Sequence, residues 1–124
     1  MLTEIGVYIQ SQGIGTFGAN VFLGLMPDKP DNCIALFEYA GSPPDLHWPG
    51  EYPGLQVRVR NKSYAAARTK IGEVMEKLHG LHEQTLSGTR YLLIKARGSP
   101  EVLKRDENNR VELFVNFEII KERD

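Results

Sequence analysis

The chain has 124 residues, of which 41% are hydrophobic and 25% charged, with a formal net charge of −1. This composition fits one ordinary globular domain and argues against a disordered, fibrous or strongly cationic nucleic-acid-binding chain. A single cysteine, Cys33, excludes an internal disulfide framework, and the N-terminus and apolar runs match neither a signal peptide nor a bilayer span, so synthesis in a cytoplasm and no membrane partner are expected.

Leu2, Ile5 and Ile9 recur at helical spacing and Gly13 stops the pattern, which predicts a helix over residues 2–12. Residues 20–26 read as a strand, Pro27 to Asn32 as a turn, and residues 33–39 as a second strand antiparallel to the first. Cys33 opens the apolar run Cys33-Ile34-Ala35-Leu36-Phe37 and reads as a buried structural thiol. Residues 41–53 hold four of the seven prolines and no regular element is expected across them. A loop of this length inside a small domain is usually functional or disordered, and this one carries Trp48 and Tyr52.

Leu55, Val57 and Val59 alternate with Gln56, Arg58 and Arg60, the pattern of a half-buried strand. Ser63 is positioned to cap a helix of about four turns with Tyr64, Ala67, Ile71, Val74 and Leu78 on one stripe and Gly80 at its end. Residues 84–86 and 89–97 read as strands joined by Ser87-Gly88. Residues 102–105 and 111–121 read as a final hairpin around Asp106 to Asn109, with Val111, Leu113, Val115, Phe117 and Ile119 on one face. The sum is an α+β fold, a mostly antiparallel sheet packed with two helices in a single domain spanning residues 1–124.

Charge is uneven along the chain. Residues 1–53 carry a net −5, residues 54–97 a net +6 and residues 98–124 a net −2. Two solvated faces of one domain, or the acidic and basic sides of a head-to-tail assembly, both fit this pattern.

No motif carries catalysis. Gly13-Ile-Gly15-Thr-Phe-Gly18 has the letters of a dinucleotide fingerprint, but a helix precedes it and a strand follows, the reverse of what a pyrophosphate needs. His79, His82 and Glu83 are broken by Gly80 and read as a solvated helix end rather than a metal site. No Gly-x-Ser-x-Gly elbow exists and Cys33 has no adjacent base. No catalytic residue, cofactor or metal is therefore expected. Arg58, Arg60, Lys62, Arg68 and Lys70 form the densest basic cluster, without a sequence-reading motif beside them.

Several ordered pieces resemble one family. Residues 52–60, Tyr-Pro-Gly-Leu-Gln-Val-Arg-Val-Arg, lead into a Ser63-capped helix ending near Lys77-Leu78-His79. Leu86-Ser87-Gly88-Thr89-Arg90-Tyr91 makes a Gly-turn hairpin, and Pro100 precedes a strand. Residues 105–110, Arg-Asp-Glu-Asn-Asn-Arg, then turn into residues 111–119. Together, over residues 21–121, they resemble the phage minor capsid and tail-terminator (tail-completion, head–tail joining) proteins. Asn109 departs from the glycine expected in the last turn.

The resemblance implies a structural protein made in the host cytoplasm and placed in the virion at the head–tail junction. Its members form a hexameric ring on the end of the tail tube. The ring ends tube polymerisation, docks the head connector and passes DNA through its lumen without sequence-specific binding. The implied partners are further copies of the chain, in solution or only on the tail tip, the major tail tube protein and the head connector or completion protein. Trp48 and Tyr52 are candidate interface anchors, and Arg58, Arg60 and Arg68 candidates for a subunit contact or the lumen. The residues also leave open a small ligand-binding or enzyme domain with Trp48, His47 and Tyr52 around a pocket in the 41–53 loop.

Overall fold

Ile5 and Ile9 put one apolar side on α1 (Leu2–Ser11), and both are fully buried. In the computed structural model, whose described residues are 1–123, α1 is followed by β1 (Val21–Leu23), β2 (Cys33–Ser42) and β3 (Gly50–Asn61). Then come α2 (Tyr64–Leu78), β4 (Leu81–Leu86), β5 (Thr89–Ala96), β6 (Glu101–Arg105) and β7 (Val111–Glu122). The strands form a mixed sheet in the order β1-β2-β3-β7-β5-β4, with β6 also paired to β7. β7 is the spine. β3 runs along one edge of it, while β6 pairs with residues 111–114 and β5 with residues 117–121 on the other.

Period-2 alternation decides what faces the helices. Leu55, Val57 and Val59 of β3 and Val111, Leu113, Val115, Phe117 and Ile119 of β7 are all buried, as the alternation predicts. They pack in one hydrophobic cluster with Ile5 and Ile9 of α1 and Ala67, Ile71, Val74 and Leu78 of α2. Both helices contact the sheet, and the cluster places them on one of its faces, leaving the other uncovered by helix. Ser63 caps α2 by accepting the Ala66 N–H at 3.2 Å. Tyr64 differs from the expected stripe. It is 48% exposed, because the first helical position lies beyond the edge of the packed face.

Three further expectations are corrected. β1 is only three residues long and pairs with β2 in parallel, not antiparallel, with Val21 opposite Ile34 and Leu23 opposite Leu36. Parallel pairing needs the chain to travel back before re-entering the sheet. The return here is short because β1 is short, and residues 24–32 make it along a turn clamped by Arg60 of β3 and by Arg110, which immediately precedes β7. The predicted 41–53 loop is shorter than expected: β2 continues to Ser42 and β3 begins at Gly50, so only residues 43–49 are irregular. Pro53 fits inside β3 because β2 bulges opposite it, between Tyr39 and Ser42, where Gly41 has φ +62°. A side chain on Gly41 would collide with the β3 backbone at Tyr52 and Pro53. β4 starts at Leu81, earlier than expected, so His82 and Glu83 are strand residues rather than a helix end. His79 closes α2, and its Nδ1 accepts the Ala96 N–H at 2.9 Å.

Polar groups also tie α1 to the sheet. The Glu4 carboxylate accepts from the Tyr91 hydroxyl at 2.6 Å and from the Thr89 hydroxyl. Lys121 is fully buried at the core edge, bonded to Glu51 with its ammonium near the Tyr91 ring.

Candidate functional site

The helix-free face of the sheet is the natural candidate. Sheet register assembles it in rows across β2, β3 and β7: Cys33–Arg60–Glu112, Ala35–Arg58–Phe114, Phe37–Gln56–Asn116 and Tyr39–Gly54–Glu118. β5 extends it with Leu93 beside Ile120 and Lys95 beside Glu118. Each row takes the opposite phase of the alternation that builds the core, so one pattern dictates both surfaces.

The middle of this face is braced by side chains. The Arg58 guanidinium stands 4.5 Å from the Phe37 ring centre, and its Nε donates to Gln56 Oε1 at 2.6 Å. Gln56 Nε2 donates to Asn116 Oδ1 at 3.1 Å. The Tyr39 ring lies over Gly54, where a Cβ would have no room, and its hydroxyl donates to the Phe117 carbonyl at 3.4 Å. Phe, Tyr and Arg gathered with amides, and few lysines, match the make-up of protein–protein contact surfaces.

One end of the face is an arginine clamp. Arg60 is 3% exposed and donates to the carbonyls of Pro27 (2.6 Å), Pro30 (2.8 Å), Asp31 (3.1 Å) and Asp28 (3.3 Å). Arg110, 4% exposed, bonds Asp106 at 2.8 Å, Asp28 at 3.0 Å and Asp31 at 3.2 Å. Burial alone would pull the Arg110 guanidinium down, but its bonds to Asp106 and Asp28 outweigh that and hold it above its ordinary value. The Asp31 carboxyl is held below the usual range, chiefly by its bond to Lys62. Asp106 is likewise low, because the Arg110 bonds overcome the effect of burial. Cys33 is buried beside this clamp, and burial pushes its thiol up, which makes it unreactive.

The other end is the 43–49 loop. The Asp45 carboxylate accepts the His47 N–H at 2.8 Å, the Trp48 N–H at 3.3 Å and the Tyr52 hydroxyl at 2.9 Å. These bonds lower the Asp45 pKa, the His47 backbone bond most. Trp48 Nε1 donates to the Tyr52 hydroxyl at 3.1 Å, and the Arg123 N–H reaches the Pro49 carbonyl at 2.8 Å. Between this loop and β5 lies an open hollow of about 740 Å³, walled by Tyr39, Pro43, Tyr52, Leu93, Arg97 and Ile120 among others.

The expected site residues are therefore dispersed. Tyr52 lines the hollow, whereas Trp48 and His47 do not, so the three do not ring one pocket. Arg58 lies on the open face. Arg60 is consumed within the fold and offers no surface. Arg68 is on α2, away from this face, and bonds the Pro100 carbonyl at 3.0 Å. Sequence reasoning overlooked Tyr39, Arg97 and Arg110, whose importance comes from strand register and from contacts across about 80 residues of chain. Basic residues of the middle third meet acids from elsewhere, as Lys62 does Asp31 and Arg90 does Glu122.

Comparison with known proteins supplies the family. The model of the bacteriophage tail terminator proteins matches residues 8–123, nearly the whole chain. The chain belongs to the bacteriophage tail terminator family. It is thus a structural phage tail protein, the coarse role that the resemblance implied. Among curated proteins nothing matches. A solved structure titled "Virion of native gene transfer agent (GTA) particle" contains a chain with the same fold at 17% identity and a TM-score of 0.70. The likeness covers 93% of this chain and 92% of that one. In this tail terminator Arg58 is held against an aromatic ring, Arg60 by carbonyls and Arg110 by carboxylates, and the Cys33 thiol is buried.

Proposed function

We propose that the protein caps the phage tail tube as a hexameric ring, ends tube polymerisation and presents the docking surface for the head connector. The family match over residues 8–123 carries this reading. The uncovered sheet face supports it, because a ring needs heterologous surfaces that close by rotation and this face has the composition of a contact surface. The ring forms in solution or on the tail tip, where the major tail tube protein raises the local concentration of subunits. DNA passes through the lumen held only by non-specific attraction. The protein then resides in the virion at the head–tail junction and performs no catalysis.

Within this reading Tyr52 and Arg58 belong to the contact face, and Trp48 braces the 43–49 loop that borders it. Arg68, exposed on α2, is the candidate for a neighbouring subunit or the lumen. Arg60 contributes indirectly, by holding residues 27–31.

Electron microscopy of particles made without this gene tests the role. Tails of uncontrolled length beside unjoined, DNA-filled heads are expected. Normal virions with tails of normal length would overturn the proposal.

A further inference from the structure

Leu46 is 93% exposed, the most exposed of the large hydrophobic residues. It does not sit on a slack loop. Asp45 before it and Trp48 after it are bonded to each other and to Tyr52, and the Asp45 N–H donates to the Gly50 carbonyl at 3.1 Å. A fixed backbone thus holds an apolar side chain out in water, an arrangement that favours a partner which covers it.

The hollow behind the same loop is the complementary shape. Its apolar wall is Tyr39, Leu93 and Ile120, and Arg97 stands at its edge with no ion pair among the described residues. Leu46 is not among the residues lining it, so a chain's knob does not fill its own hollow. The charges also match. The Asp45 carboxylate beside the knob is met by N–H and O–H groups but by no cation among the described residues. Arg97 is the cation beside the hollow. Glu118 also borders the hollow, next to Lys95 across the strand pair.

We infer that Leu46 of one subunit seats in the hollow of the next copy of this chain, against Tyr39, Leu93 and Ile120, with Asp45 facing the neighbour's Arg97. This rests on the ring reading and specifies one of its contacts. Knob and hollow are different surfaces, so the contact repeats from subunit to subunit around the ring.

Co-expression of two single-thiol versions in place of the native gene tests it: Cys33→Ala with Leu46→Cys, and Cys33→Ala with Leu93→Cys. Purified particles are oxidised and the bridged peptides identified by mass spectrometry. A 46–93 disulfide between chains, formed only when both versions are present, is expected. Leu46→Asp leaves the isolated subunit folded, since Leu46 touches so little of its own chain. Competing with the native chain at equal expression, it enters particles about tenfold less often. Ile120→Cys replaces Leu93→Cys if the latter folds poorly. Particles with joined tails that contain the chain but give no 46–93 or 46–120 bridge, or only a 46–46 bridge, would overturn this contact and leave the ring standing. Absence of the chain from normal particles would overturn both.

Discussion

At the scale of single residues, the side chains that matter most are polar ones enclosed by the fold. Arg60 supplies donors to four carbonyls in residues 27–31. Arg60→Ala leaves those carbonyls short of partners and is expected to cost about 2–4 kcal/mol, measured by chemical denaturation. Cys33 is buried and its thiol pKa is raised, so it should stay unlabelled by thiol reagents until the protein unfolds, and its labelling rate then reports global opening. Asp31 and Asp106 have folded pKa values below the ordinary value of about 3.9. Their charged forms are favoured by the fold, so the stability they add is complete above that value and is lost as pH falls through the lower folded values. Below about pH 4 the turns at 27–32 and 106–110 should loosen before the core does, visible as amide shifts in an NMR titration, and Asp106→Asn should flatten that acid limb. The alternation of β3 reads Arg60 as an exposed face residue. Alternation placed it correctly on the face opposite the core, but not beneath a turn that returns from 30 residues earlier.

At the scale of elements, local chemistry does most of the work. Ser63 caps α2 as its position before the apolar stripe predicts, and Ser63→Ala should cost about 1 kcal/mol in thermal or denaturant unfolding. Ser87 and Gly88 both have positive φ, 48° and 89°, the geometry of a two-residue hairpin turn. Asparagine enters that conformation more easily than serine, so Ser87→Asn should raise stability by about 0.5 kcal/mol. Asn109, where the family resemblance led to an expected glycine, has φ +60° and meets the same need. The elements misjudged from sequence are those settled by distant partners. Prolines suggested an irregular stretch over 41–53, yet β7 and the bulge in β2 draw residues 50–53 into β3. β1 is too short for its periodicity to show direction, and only its hydrogen bonds to β2 reveal that it runs parallel.

At the scale of the whole molecule, β7 holds the sheet together, and its core residue Phe117 is fully buried between β3 and β5. Phe117→Ala should destabilise the protein by about 3–5 kcal/mol by leaving a cavity in the common core. Local patterns alone specify the two helices, most strand centres, the hairpin turns and most of the core, because periodicity, capping and turn preference act over a few residues. Ordered local pieces were also sufficient to point to the tail terminator family. The strand order, the parallel start of the sheet, the internal use of Arg60 and Arg110, and the uncovered face with its hollow beside an exposed Leu46 follow from the folded chain alone. Those features depend on which distant segments meet, and contacts across 30 to 90 residues leave no periodic mark in the chain.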